Sequence, residues 1–478
     1  MTKDLRSFLA LLEQEHPGEL VCIEREVHPD RYELLAFVET FEKMGRFPAI
    51  LFQHVTTLRG ERWPGGMVVS IDPGTYRRAA IALGLDTHRA TAHDAVTALA
   101  RGIQSPVKAE PLPAGQAPVQ EVVLRGEEAD LADLPLIMHY EHDMRPGWMT
   151  PVVAVRDPVE GRYNLSYHRI VYKGPRRVTV QIAPGHLQES LSRAQARGEP
   201  LPVALVVGHH PAFYMASGAR PSWTFDEYEV VGGALGEPLR VVPSVSFGSD
   251  LMVPADAELV VEARILPDQV EPEGPFGEWT RYYGPQDIMP VAEVTAITRR
   301  RDALFQAIRA SYHIIEDMSH SAGLLALLKT RFPSVRSVNA FFHTWAIISM
   351  EKSQEGEPMR VASMALAYGR HVKHAVIVDA DVDPFNLQQV LWAIGVRLQP
   401  HERVKIIDNI ALNTLDPSLT HPHLGSVMVI DATESVDRPF QQAISMPRDV
   451  LERIQAEFES YVPREKLARV AYGDPWRV

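Results

Sequence analysis

A single cysteine, Cys22, stands among 478 residues. No intrachain disulfide can form and no thiolate metal site can be built, which fits a reducing compartment; a cytoplasmic location is expected. The chain also lacks any run of about 18 apolar residues, so no membrane span is expected. Its first stretch, MTKDLRSFLALLEQEHPGEL, carries Asp4 and Glu13 in or beside a short apolar run and reads as an amphipathic helix rather than a leader. Positive charge is in deficit: 48 Lys and Arg stand against 61 Asp and Glu, a net charge of -13. A nucleic-acid-binding face needs the opposite balance and is not expected. No GxGxxG opens a helix, and no Walker loop, HExxH or GxSxG occurs. GGALGE at 232–237 lacks both the final glycine and a preceding strand.

What is present is ordinary in amount and uneven in arrangement. Hydrophobic residues make up 45% of the chain, enough for more than one core. Residues 1–115 alternate helical patterns (DLRSFLALLEQ, TYRRAAIALGL, AHDAVTALARGI) with short apolar runs (AILFQHV, GGMVVSID), predicting a small α/β domain. A Pro-rich stretch, SPVKAEPLPAGQAPVQEVVL, reads as a linker. Residues 116–302 are strand-rich: PVVAVRD, YNLSYHRIVY, RRVTVQIA, LPVALVVGHH, RVVPSVSFGS, ELVVEARIL and VAEVTAITRR. Only LQESLSRAQARG and FDEYEVVGGALG look helical there, so a β-barrel or sandwich is predicted. Alternation returns over 303–478, with helices AGLLALLKTRF, MRVASMALAYG and NLQQVLWAIGVRL around the strand HAVIVDADVD, and a terminal helix over SMPRDVLERIQAEFESYV. The fold class is therefore mixed α/β, with a β-rich middle between two α/β ends.

Candidate chemistry gathers at four places. EPEGPFGEWTRYYG, residues 271–284, sets Glu273 and Glu278 five apart around Gly-Pro. That interval fits neither a regular helix nor a central strand and predicts a sharp bend. NLSYHR carries Asn164 and Arg169 on one predicted strand, on opposite faces unless a bulge intervenes. APGHL places His186 at a turn after a strand, and DEYEVVGG places Glu227 at a helix start. Each alone reads as structural: a solvated turn, a strand edge, a loop histidine, a dipole-favoured carboxylate. GHHP at 208–211 and THPHLG at 420–425 lack a third ligand in a defined frame and read as ordinary loop histidines.

Taken together and in this order, these segments resemble the UbiD family of decarboxylases. Asn164 and Arg169 fit its Asn-x-x-x-x-Arg strand, His186 its turn histidine, Glu227 its Glu-containing helix, and PEGPFGE its Glu-Gly-Pro-aromatic-Gly-acid loop. VIVDADVDPFNLQQVLWAIGVRLQP and LDPSLTHPHLGSVMVIDAT resemble its later segments. The resemblance implies a central split β-barrel holding prenylated FMN, flanked by α/β domains, the last of which makes a homodimer or homohexamer. It implies a flavin prenyltransferase as cofactor supplier. It also implies that Asn164, His186 and Glu227 hold Mn²⁺ or Mg²⁺ against the cofactor phosphate, with K⁺ nearby. A mixed nitrogen and oxygen set suits such a cation. Thr150, Ser166, Tyr167, His168, Arg169 and Gln181 would line the cofactor.

Arg169, Glu273 and Glu278 match the family's catalytic set. The implied reaction is reversible, non-oxidative decarboxylation of an α,β-unsaturated acid, aromatic or heteroaromatic by preference. Glu278 would donate the proton and Arg169, paired with Glu273, would orient the carboxylate. Phe276, Trp279 and Trp148 could stack on a flat ring, Phe276 rather as a packing anchor. Three departures bear on the pocket: the bulky DMRPGWMT, Arg281 where many members have glycine, and His168 in place of tyrosine. Two rivals remain at this point. One is an unmodified-flavin oxidoreductase on a split barrel; the other is a non-catalytic subunit of a larger enzyme.

Overall fold

The computed structural model describes residues 2–69, 75–309, 314–421, 423–442, 444–463 and 466. The first sheet has four strands, in the order Leu20–Ile23, Ala49–Phe52, Met67–Val69 and Phe305–Ala307. Its helices begin as their sequences dictate. Asp4 and Ser7 form a capping box on Leu5–Glu15, and Thr91 and Asp94 form another on Ala92–Gln104. Phe305–Ala307 was expected to open the C-terminal unit. It instead returns to the first sheet, parallel to Met67–Val69. Three residues are too short for periodicity to assign them to a sheet.

The central sheet has nine strands. Its main path runs Trp148–Met149, Ile170–Gly174, Arg177–Val180, Asp287–Arg299, Leu259–Glu273, Leu201–Val207, Val152–Arg156 and Tyr163–Tyr167, and Val122–Arg125 pairs with Asp287–Arg299. YNLSYHRIVY, predicted as one strand, is two. Tyr163–Tyr167 forms one edge, while Ile170–Gly174 lies next to the other. Only His168 and Arg169 separate them in sequence, and three Cα steps span at most about 11 Å. The sheet must therefore curl until its ends approach. The joint is held from both sides: His168 N–H donates to Pro151 O at 3.4 Å, and Gln181 N–H donates to Arg169 O at 3.0 Å. This break, not a bulge, sets the relation of Asn164 to Arg169.

A helix the sequence did not announce, Pro211–Ser217, follows the Leu201–Val207 strand. All seven of its residues are buried, so it shows no polar face and no helical period. Its N-cap is His210, and both His209 and His210 lie in the core. The C-terminal sheet runs Val335–Asn339, Trp345–Met350, His374–Asp379, Leu424–Ala432 and Val404–Ala411. Helices Ile314–Lys329, Glu357–Tyr368 and Leu387–Arg397 accompany it. The terminal helix is interrupted at Glu457 into Arg448–Ala456 and Phe458–Tyr461. No helix among the described residues is long and apolar enough to cross a membrane.

Candidate active site

Arg169 projects from the joint of the curled sheet toward both acidic residues. Its Nε donates to Glu273 Oε1 at 2.9 Å and its Nη1 to Glu278 Oε1 at 2.5 Å. The five-residue spacing of the two glutamates has a simple geometric reason. Glu273 is the last residue of the long Leu259–Glu273 strand. Gly274 then turns the chain at φ +101, a conformation that L side chains rarely adopt. Phe276–Gly277 starts a hairpin with Tyr283–Gly284, and Glu278 follows it. One carboxylate thus comes from a sheet end and the other from a hairpin end, and both reach one guanidinium. The predicted bend is present, but it is flanked by strand on both sides.

The hairpin is tight. Glu278 N–H donates to Tyr282 O at 3.0 Å and Arg281 N–H to Glu278 O at 2.9 Å. Arg281 adopts φ 64, the left-handed conformation that favours glycine. Its departure from the family pattern is therefore a backbone matter, and its side chain is exposed.

Glu273 is 1% exposed, and its Oε2 has no hydrogen-bond partner among the described residues. Glu278 has its pKa raised, first by burial and further by the charges of Asp143 and Glu273; Arg169 opposes the shift. Beneath Arg169 lies an aromatic floor, with Phe276 at 4.1 Å and Trp148 at 5.9 Å from the guanidinium carbon. Both rings are 1% exposed and pack with Val171. Phe276 is the packing anchor that was expected. Trp148 is one as well, not a free stacking face. Trp279 turns toward the C-terminal unit, 5.0 Å from the ring of His343 and 5.6 Å from that of His371.

Asn164, His186 and Glu227 also meet. Glu227 opens the helix Glu227–Leu235, behind the N-cap Asp226. That helix docks on the edge strand: Leu165 N–H donates to Glu227 Oε2 at 2.7 Å, and Tyr163 N–H to Asp226 Oδ2 at 3.1 Å. His186 opens the helix His186–Gln195 and lies 3.9 Å from the Trp223 ring, centroid to centroid. The Asn164 carbonyl oxygen faces acceptors, Glu227 Oε1 at 3.2 Å and His186 Nδ1 at 3.1 Å. His186 Nδ1 is 3.4 Å from Glu227 Oε1. Two arrangements reconcile these atoms. The amide can turn over and donate to both neighbours, or a cation can sit among the three. Cis ligands of an octahedral ion with bonds of about 2.1 Å lie about 3 Å apart, close to these spacings. Among the described residues, no group of three His, Cys, Asp or Glu side chains could hold a metal ion. Here the third donor is an amide.

The other expected cofactor residues divide. Thr150 Oγ1 is buried without a partner among the described residues. Asn164 Nδ2 donates to Ser166 Oγ at 3.2 Å, and the Ser166 hydroxyl is 2.8 Å from His168 Nε2. His168 Nδ1 is 2.7 Å from Gln181 O. Burial lowers the His168 pKa to about 4, so the ring is neutral at pH 7: Nδ1–H donates to the carbonyl and Nε2 accepts from Ser166. Gln181 thus contributes its backbone at two points. The Tyr167 hydroxyl donates to Tyr214 O, away toward the buried helix.

Sequence reasoning missed Asp143. It is 5% exposed, and it accepts from Gly277 N–H at 2.8 Å, Tyr140 N–H at 3.1 Å and Trp148 Nε1–H at 3.2 Å. A lone aspartate in a loop carries no signal of burial. The only hint was its place five residues before Trp148 in the unusually bulky segment.

Comparison with known proteins identifies the family. Residues 111–312 match the 3-octaprenyl-4-hydroxybenzoate carboxy-lyase Rift-related domain, and residues 313–432 match the C-terminal domain of the same enzymes. A phenolic acid decarboxylase of Streptomyces sp. (strain D7) is 30% identical, over 98% of this chain and 99% of its own. Among solved structures, an evolved dimeric form of the UbiD-class enzyme HmfF from Pelotomaculum thermopropionicum, in complex with prFMN, superposes with a TM-score of 0.80. It is 32% identical, over 96% of this chain and 100% of its own. The closed form of the Sedimentibacter hydroxybenzoicus vanillic acid decarboxylase superposes at 0.86 and is 29% identical, over 97% and 99%. The chain belongs to the UbiD family and is a carboxy-lyase of that family.

Proposed function

We propose that this enzyme decarboxylates, reversibly and without net oxidation, an aromatic acid of the phenolic class, using prenylated FMN. The observation that carries the reading is the half-buried Arg169, bonded at once to Glu273 and to Glu278, whose pKa burial raises. The substrate class follows from the relatives, a phenolic acid decarboxylase and a vanillic acid decarboxylase.

When bound, prenylated FMN supplies the electron sink for the pair released as the bond to the carboxyl group breaks. The chain's own residues do the rest. Arg169 presents a fixed fork to the substrate carboxylate, and Glu273 holds that fork in place. Glu278 carries a proton in a site screened from water and delivers it to the carbon that bore the carboxyl group. Asn164, His186 and Glu227 would hold Mn²⁺ or Mg²⁺, which would supply positive charge to offset the cofactor phosphate's roughly two negative charges. Thr150 and Ser166 would offer hydroxyls to the cofactor, and K⁺ would supply a further positive charge. His168 and Gln181 brace the backbone of Arg169 beside it, and Tyr167 anchors the same strand.

In this reading residues 116–302 form the split barrel, closed at His168–Arg169, between the unit 1–115, whose sheet Phe305–Ala307 completes, and the C-terminal unit that follows that strand. The exposed apolar side chains Leu391, Trp392, Val396 and Ile406 form the face on which a second copy assembles. The enzyme works in the cytoplasm beside a flavin prenyltransferase. The test is to co-produce the chain with such a transferase and assay a panel of hydroxylated and methoxylated benzoic and cinnamic acids for CO₂ release. Turnover of phenolic acids is expected. Turnover confined to saturated acids, or flavin-dependent oxidation without CO₂, overturns the reading.

A further inference from the structure

Three carboxylates share one guanidinium in this site. Glu278 is flanked by Arg169, Asp143 and Glu273, and Asp143 in turn feels Arg169. One guanidinium cannot balance three anions, so charge repulsion favours a proton on at least one of the three. The hydrogen bonds distinguish them. Burial raises the Asp143 pKa, but Asp143 accepts N–H donors from Gly277, Tyr140 and Trp148, which oppose that shift and favour its anion. Glu273 accepts from Arg169 Nε. Glu278 has only the Arg169 Nη1 bond among the described residues, and the proton goes there.

Asp143 also lies at a mechanical junction. Its Oδ1 holds the Gly277 N–H, one residue before Glu278, and its Oδ2 holds the indole N–H of Trp148, part of the floor under Arg169. The same segment grips the hairpin twice more. Met144 N–H donates to Pro275 O at 3.0 Å, and the Tyr140 ring covers Gly277 so closely that a Cβ there would lie 2.2 Å from Tyr140 Cδ2. The His139 ring stacks on Trp148 at 3.9 Å, with its Nε2 3.3 Å from Ile308 O.

We propose that Asp143 is a positioning residue for proton transfer: its carboxylate ties the floor under Arg169 to the turn that carries Glu278, and its negative charge keeps the proton on Glu278. This rests on Glu278 as the donor, and the test separates the two claims. Asp143→Asn removes the charge and sets an NH₂ against the Gly277 N–H or against the Tyr140 and Trp148 donors. In the loaded enzyme, the alkaline fall in kcat should move to lower pH by about one unit, the size expected for losing a near like charge. The carboxyl resonance of Glu278, identified in unloaded protein by its loss in Glu278→Gln, should titrate at lower pH in Asp143→Asn. If neither moves, the inference is overturned. If the resonance moves and the rate profile does not, the hold of Asp143 on the Glu278 proton stands, and it is the assignment of Glu278 as donor in the proposed function that fails. Asp143→Glu carries the test if the asparagine variant does not fold. It keeps the charge and displaces the carboxylate by one methylene, so kcat should fall with the alkaline limb in place, and a wild-type kcat overturns positioning.

Discussion

Two polar clusters lie on the two sides of one curled sheet edge, and they are built on opposite principles. In the Arg169 cluster, donors meet acceptors: the guanidinium faces Glu273 and Glu278, and three N–H groups face Asp143. In the Asn164 cluster, acceptors meet acceptors: a carbonyl oxygen, a ring nitrogen and a carboxylate oxygen lie within 3.1 to 3.4 Å of one another. In the first, the donors all find carboxylates within the chain, although Glu273 Oε2 has no partner among the described residues. The second is satisfied by turning the amide or by a cation, and in the proposed reading cofactor and ion arrive together. Positioning of the proton is thus a property of the folded chain, whereas retention of the cofactor depends on an added charge.

The comparison breaks most visibly at Arg169. Arg169→Ala should remove carboxylate orientation and leave Glu273, with a fully buried side chain, unpaired. Breaking a buried pair from one side costs about 3–5 kcal/mol. Thermal unfolding should fall clearly and CO₂ release should drop by at least about 10³, within the range for losing a positioned catalytic group. Wild-type melting would show that the pair carries no structural load.

Glu278→Gln is the sharper cut, because shape and one hydrogen bond survive. Loss of the acid should lower turnover by about 10²–10⁴ with cofactor content unchanged. In D₂O the wild-type enzyme should exchange the product hydrogen at the former carboxyl carbon, and Glu278→Gln should not. A wild-type exchange rate in the variant would assign the proton elsewhere. His168 is then a poor successor, since its ring, with a pKa near 4, is neutral at pH 7 and already bonded on both nitrogens. The same raised pKa gives a stability sign. An acid whose folded pKa exceeds its unfolded value stabilises below the ordinary glutamate range and loses that contribution as pH rises through the folded value. Glu278→Gln should flatten that part of the stability profile.

Glu227→Ala should act on the other cluster alone. It removes the carboxylate, so purified protein should hold less manganese and less flavin, while Arg169→Ala keeps both. Wild-type metal and flavin content in Glu227→Ala would remove Glu227 from the ligand set and favour the turned amide as the resting arrangement.

The two clusters also differ in how far the sequence revealed them. Glu273 and Glu278 stood out because Gly-Pro between two acids has few regular explanations, and Glu227 because it heads a helix. The joint at His168–Arg169 did not: ten β-prone residues in a row read as one strand, and only the closing of the sheet divides them. Asp143 was invisible for a related reason. Its partners Gly277 and Trp148 are brought to it by tertiary structure, and no local pattern reports a long-range acceptor. The helix Pro211–Ser217 was lost to burial on every side, and Phe305–Ala307 to brevity. Local chemistry was legible, and so was the alternation of α/β and β regions. What escaped was wherever distant segments meet.

The smallest expected effect tests whether the hairpin's geometry, rather than the Arg281 side chain, is what the acid needs. Arg281 holds φ 64 with an exposed side chain. A non-glycine residue in the left-handed region costs roughly 1–2 kcal/mol. Glycine there gives back roughly 0.5–1 kcal/mol through the greater freedom of the unfolded chain. Arg281→Gly should therefore stabilise the protein by roughly 0.5–1 kcal/mol net, measured by chemical denaturation, with kcat unchanged. Arg281→Val, with a branched Cβ in the same conformation, should destabilise the turn and lower kcat, since Glu278 N–H and O are both bonded within it. If glycine and valine lower kcat equally, the guanidinium acts on the substrate directly, and the hairpin tolerates distortion that the Glu278 carboxyl does not feel.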